Sequence, residues 1–164
     1  MTEREGRLTI EGDRAVLTFE RRLSFPIEAV WAAITDPDER AAWFGVTTIE
    51  GGTIDMVADG PPLPPERKRM TGRILVWDPP NVFEHEWKQP IVEDGVVRYE
   101  LIPDGDGTLL RFSHRGLGVR NASGFRSGTH AYLDRLEAHL AGVELPDWAT
   151  RRQEITGSAR LEFN

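Results

Sequence analysis

Beyond Gly124 the apolar residues of this chain recur on one long helical stripe, whereas most of what precedes it alternates with a period of two. Phe125, Thr129, Tyr132, Leu133, Leu136, Leu140 and Val143 fall on one helix face, with Arg126, Asp134, Arg135 and Glu137 away from its centre. Such a stripe needs an apolar surface to lie on, and the alternating segments before it supply one. The order predicts an α+β domain in which a long C-terminal helix of about 18 residues rests on one antiparallel sheet.

The strand candidates can be read in sequence. Arg7–Ile10 and Arg14–Leu23 alternate on either side of a Gly12-Asp13 turn; in the longer run Ala15, Leu17 and Phe19 share a face. Helix spacing then appears at Ile27, Val30, Trp31 and Ile34, after Pro26 in a first-turn position. Asp36-Pro37-Asp38-Glu39 reads as the capped start of a second short helix, ending around Trp43-Phe44-Gly45. Thr47–Glu50 and Thr53–Ala58 are short strand candidates around Gly51-Gly52. Asp59–Glu66 holds four prolines and reads as a stiff loop. Met70–Trp77, Val82–Lys88, Val96–Ile102 and Leu109–Arg115 are the remaining strands, the last two joined through Asp104-Gly105-Asp106-Gly107. Trp148–Phe163 is a weaker helix interrupted by Gly157.

Charge and composition narrow the function classes. With 20 basic against 27 acidic residues and a net charge of −7, the chain has no basic stripe and is not expected to bind nucleic acid. It has no cysteine, which excludes disulfides, thiolate metal sites and a cysteine nucleophile. No apolar run is long enough to span a membrane, and no h-region follows Met1-Thr2-Glu3-Arg4-Glu5, so a cytoplasmic protein is expected. At 164 residues, one domain with a full core is expected, its centre at about 7–142 and an extension over 143–164.

Phe19-Glu20-Arg21-Arg22-Leu23, Val30-Trp31-Ala32-Ala33-Ile34-Thr35-Asp36-Pro37 and Trp43-Phe44 together resemble the opening of bacterial homologues of the heat-shock protein 90 ATPase activator. Asp78-Pro79-Pro80 with Phe83-Glu84-His85-Glu86-Trp87, Leu110-Arg111-Phe112-Ser113-His114, Gly128-Thr129-His130 and Leu133-Asp134-Arg135-Leu136 resemble that family's later motifs. The family belongs to the START-like (SRPBCC) superfamily. The resemblance implies a helix-grip fold: a curved antiparallel sheet around the C-terminal helix, two short helices after the first strand, and an internal cavity. It also marks a departure, since relatives carry Gly-Trp where this chain has Gly128-Thr129. The family's eukaryotic members carry a second domain for which this length leaves no room.

His85 and His114 are the sharpest chemical features. Alternation groups Phe83, His85 and Trp87 on one strand face and Leu110, Phe112 and His114 on another, with Val97, Tyr99 and Leu101 between. Each histidine is either a hydrogen-bonded core residue or a polar anchor in an apolar pocket. With Trp43, Phe44, Met56, Phe83, Trp87, Tyr99, Phe112, Thr129 and Leu133 they form the expected ligand-binding set. His130 reads as structural or exposed, and His139 as a charge partner at the helix end. Asp104-Gly105-Asp106-Gly107-Thr108 is a turn, because a calcium loop starting there would place Arg115 where the bidentate Glu belongs. No metal, cofactor or catalytic constellation is expected. The expected function is a carrier of a small, largely apolar molecule. The alternative is a co-chaperone acting on a heat-shock protein 90 partner; third is a START-like cyclase or hydrolase using His85 or His114 as acid or base. Self-association as a homodimer stays open.

Overall fold

The alternating segments pair into a single antiparallel sheet. The computed structural model describes residues 3–162; Met1, Thr2 and Phe163, which entered the expectations above, lie outside the described residues. A 3-10 turn (Glu3–Glu5) leads into β1 (Arg7–Glu11) and β2 (Arg14–Leu23), followed by α1 (Ile27–Thr35) and α2 (Pro37–Trp43). Then come β3 (Gly45–Glu50), β4 (Thr53–Ala58), the one-turn α3 (Pro65–Lys68), β5 (Arg69–Asp78), β6 (Val82–Trp87), β7 (Gly95–Asp104) and β8 (Gly107–Gly118). The long α4 (Val119–Ala141) and then α5 (Trp148–Glu162) follow. The sheet runs β1-β2-β8-β7-β6-β5-β4-β3 with antiparallel neighbours throughout. This is the helix-grip arrangement, with α4 laid against the sheet.

Local chemistry sets the elements. The Asp36 carboxylate caps α2 by accepting from the Asp38 N–H at 2.8 Å, and Pro37 occupies the first turn. Gly142 ends α4 at φ 69°, where its N–H reaches the Ala138 and His139 carbonyls. Register shifts between Ala15 and Leu17 on β2 and between Ile74 and Val76 on β5 break the regular ladder, a device that bends strands. Along β2, Ala15, Leu17, Phe19 and Leu23 are buried, and so is Arg21. The Arg21 guanidinium lies 2.6 Å from both Asp134 and Glu137 of α4 and donates to the Arg4 carbonyl at 3.0 Å. The polar flank of α4 is thus clamped to the sheet.

Several boundaries differ from the sequence reading. α4 starts at Val119, not near Gly124, because β8 runs through Gly118 straight into the helix and Ala122 is already buried. Its first turns carry Ser and Gly in place of an apolar period, so periodicity alone misses them. Val143 lies past the helix end and is exposed. Pro65 and Glu66 leave the expected loop to open α3, where a proline fits a first turn. β7 and β8 are longer than expected, and Lys88 makes only an isolated bridge with Thr71. Trp77 is 47% exposed, unlike the other tryptophans of β6 and α2. Among the described residues, no helix is long and apolar enough to cross a membrane.

Candidate functional site

The floor of the site is a set of cross-strand rows. Phe83 on β6, Tyr99 on β7, Phe112 on β8 and Phe19 on β2 stand opposite one another, forming one aromatic row. The next row is His85, Val97 and His114, so the two histidines flank β7 across a single valine. At strand spacing this puts them about 10 Å apart. Beyond lies Trp87 opposite Gly95. A side chain at that glycine would press on the Arg115 carbonyl and come within 3.0 Å of His114 Nε2, so its absence makes room for the imidazole.

Above this floor α4 presents Phe125, Gly128, Thr129, Tyr132 and Leu133. Trp43 and Phe44 close one side, Pro61 and Leu63 of the proline-rich loop another, and Trp148 of α5 a third. A pocket of about 430 Å³ remains between them. The rings around it are in mutual contact: Phe44–Tyr132 centroids are 4.5 Å apart, His114–Phe125 5.1 Å, Trp87–His114 5.4 Å and Tyr132–Trp148 5.4 Å. Their polar ends are tied to protein groups. Trp43 Nε1 donates to the Ala33 carbonyl at 2.8 Å, Trp87 Nε1 to Gln89 at 3.0 Å, and Trp148 Nε1 to the Gly128 carbonyl at 3.0 Å. The Tyr132 hydroxyl accepts from the Gly60 N–H at 2.9 Å.

Of the expected ligand set, Trp43, Phe44, Trp87, Tyr99, Phe112, His114, Thr129 and Leu133 line the pocket. Met56, Phe83 and His85, expected with them, fall outside this lining. Phe83 is packed beneath Trp31, Trp77 and Tyr99. Met56 receives a hydrogen bond on its sulfur from Arg40 Nη2 at 3.2 Å. His85 is fully buried, and its Nδ1–H donates to the Glu86 carbonyl at 2.8 Å. Alternation gives the correct face for all three, but they lie deeper along their strands than the pocket reaches.

Among the described residues three histidine nitrogens, Nε2 of His85, Nε2 of His114 and Nδ1 of His130, are buried without a hydrogen-bond partner, and the first two belong to the strands under the pocket. Burial is the main reason both imidazoles are pushed toward the neutral form. The pKa of His114 falls to about 3, with His85 nearby adding to the effect. That of His85 falls to about 4, where the Glu86 carbonyl partly offsets burial and Arg40 reinforces it. Arg40 itself is fully buried and donates to the Ile34 carbonyl at 2.9 Å and Thr47 at 3.3 Å, with its guanidinium 5.1 Å from the Phe44 ring centroid. No carboxylate forms a salt bridge with it among the described residues. Glu84 and Glu86 occupy the other face of β6, paired with Arg98 and Arg115, and with Arg73, respectively. Neither is in place to orient His85 as a catalytic partner. His139 pairs with Glu39 of α2 at 3.0 Å, and His130 lies 3.7 Å from Asp134.

The sequence reading missed Tyr132 and Phe125 as pocket residues, although both belong to the stripe it identified. It missed Trp148 and Arg152 entirely, since they come from the extension. The indole of Trp148 lies over Gly128, beside Thr129, 3.3 Å from where a Cβ would sit.

Comparison with known proteins agrees with this architecture. The family model described as "Activator of Hsp90 ATPase homolog 1-like protein" matches residues 24–141. Solved structures similar to the chain include CalU16 from Micromonospora echinospora, at 24% identity and TM-score 0.71, covering 93% of this chain and 90% of that one. The protein encoded by BPP1335 from Bordetella parapertussis matches at 26% identity and TM-score 0.71, covering 91% and 85%. EF2215 from Enterococcus faecalis matches at 15% identity and TM-score 0.68, covering 94% and 90%. A search of curated proteins finds none similar to it.

Proposed function

The chain belongs to the Activator of Hsp90 ATPase homolog 1-like family, and on that footing we propose that it is a small-molecule-binding protein holding a largely apolar ligand in the pocket between the sheet, α4 and α5. The observation that carries this reading is a 430 Å³ space walled by aromatic rings, with the buried and unpartnered Nε2 of a pocket-lining residue, His114. The pocket is open to solvent, and the aromatic surface it leaves exposed is surface that an apolar guest would cover. The polar ends of Trp43, Trp148 and Tyr132 are each bonded to a backbone group and that of Trp87 to the Gln89 side chain, which holds these walls in position. The volume falls in the range of ligand sites, roughly 300–1,000 Å³. A neutral His114 offers one polar contact to an otherwise apolar guest. Binding needs nothing more.

Native mass spectrometry of freshly purified protein tests this. A bound molecule that organic extraction removes, or thermal stabilisation by apolar compounds of this size, is the expected result. Apo mass alone, with no stabilisation by any such compound, would overturn it. The family description favours a second reading, action on an Hsp90 partner. A change in that partner's ATPase rate on adding this chain supports it, and an unchanged rate at saturating protein removes it.

A further inference from the structure

We propose that the ligand is an amphipathic anion, its apolar body in the aromatic well and a single carboxylate-like head at the mouth between Lys68 and Arg152; this rests on the ligand-binding reading above. The chain is strongly acidic, with 27 acidic residues against 20 basic. Yet among the described residues no Asp or Glu lines the pocket, and the two charged side chains that do, Lys68 and Arg152, are both cations. They come from different elements, Lys68 from the end of α3 and Arg152 from the second turn of α5.

Both are half-buried, so a charge held between them is partly screened from water. Lys68 donates to the Pro61 carbonyl at 3.0 Å, which leaves two ammonium protons to offer. Arg152 lies 5.7 Å over the Trp148 ring and reaches toward α4, 4.0 Å from where a Cβ would sit at Gly124. Neither forms a salt bridge among the described residues. The contrast with the neighbouring Arg151 is direct, since that side chain is held by Asp134 and Glu154. Asp59, whose carboxyl Arg135 and Lys68 influence, lies outside the lining, and burial pushes its pKa up. Deeper in, Arg40 adds a buried positive charge below Phe44. His114, pushed toward its neutral form, adds none. An aromatic well with a cationic mouth and no carboxylate selects an acid over the alcohol of the same chain length.

Decanoate and 1-decanol separate the head from the tail. Titrated at about pH 7.5, where the carboxyl is ionised, decanoate is expected to bind about fivefold more tightly at low salt, at the upper end of what a partly exposed ion pair contributes. In about 1 M salt, where charges are screened within about 3 Å, the preference should shrink. In the Lys68→Met/Arg152→Gln variant it should vanish while 1-decanol affinity holds, and Lys68→Glu should invert it. Each variant's urea unfolding midpoint confirms its fold. Equal affinity of acid and alcohol in the parent protein, or a preference that survives the double substitution, overturns the anionic head and leaves the apolar pocket standing. If neither compound binds, both readings fall.

Discussion

Lowering the pH from about 7.5 to about 5 should cost this fold about 4 kcal/mol through His85 and His114 alone. Burial is the first cause of both shifts, holding His114 at about 3 and His85 at about 4. In the unfolded chain both return to about 6.5. Because the folded values are the lower ones, the unfolded chain takes up the extra protons as pH falls. Stability is therefore full above about pH 6.5 and drains away below it, until the folded-state values are reached. At pH about 5 an unfolded histidine is almost fully charged and these folded ones are not. Over about 1.5 pH units at 1.36 kcal/mol per unit, each loses about 2 kcal/mol. Carboxylates held low by arginines, such as Glu86 beside Arg73, begin to lose their contribution only below about pH 5, so the window from 6.5 to 5 reports the histidines. His130, lowered to about 4 mainly by burial, acts in the same direction. Urea unfolding followed by tryptophan fluorescence at about pH 7.5, 6 and 5 reads the effect. His114→Phe should remove about 2 kcal/mol of the loss. A stability that does not change across this range, or a loss unchanged in His114→Phe, refutes the claim that neutral imidazoles are buried here.

Three further outcomes follow from the same contacts. Thr129→Trp should fill part of the pocket, lowering the affinity of 1-decanol about tenfold or more while changing stability by less than about 1.5 kcal/mol; unchanged affinity by calorimetry would mean that ligand lies elsewhere. Trp148→Ala removes the bond to the Gly128 carbonyl and the wall beside Tyr132, and should cost about 2 kcal/mol while speeding ligand release in stopped-flow traces. A release rate equal to the parent's would show that α5 does not cover the pocket. Arg21→Met leaves Asp134 and Glu137 facing each other without their shared cation, and should cost about 3 kcal/mol in urea unfolding. A loss below about 1 kcal/mol would mean that the clamp between β2 and α4 contributes little.

How far the sequence could be read depends on the range of the signal. Period-two alternation placed Phe83, His85 and Trp87 on one face and Leu110, Phe112 and His114 on another, and the Asp104-Gly105-Asp106-Gly107 turn set the β7–β8 register that aligns Tyr99 with Phe112. Alternation reports a face and not a depth, so it does not reveal that Met56, Phe83 and His85 fall outside the pocket lining. Arg40 sits after Asp38 and Glu39 on a short helix, a pattern that reads as solvated, and nothing local reveals that its guanidinium is buried over Phe44. Trp148 docks where two glycines distant in the chain leave room, since a Cβ at Gly60 would collide with its ring and one at Gly128 would press against it. That fit exists only in three dimensions. The same holds for Lys68 and Arg152, whose shared place in the pocket lining depends on how α3 and α5 are seated.

Amide NMR titration of the protein with 1-decanol measures the site most directly. If the pocket holds the ligand, the amides of Gly124, Gly128, Thr129 and Tyr132 on α4, together with Gln89 and Trp148, should shift together and saturate along one binding curve. The exposed apolar residues Ile10, Val46 and Ile91 should stay in place. Shifts confined to those exposed residues, or no saturable shift at any pocket residue, would contradict ligand binding between the sheet, α4 and α5.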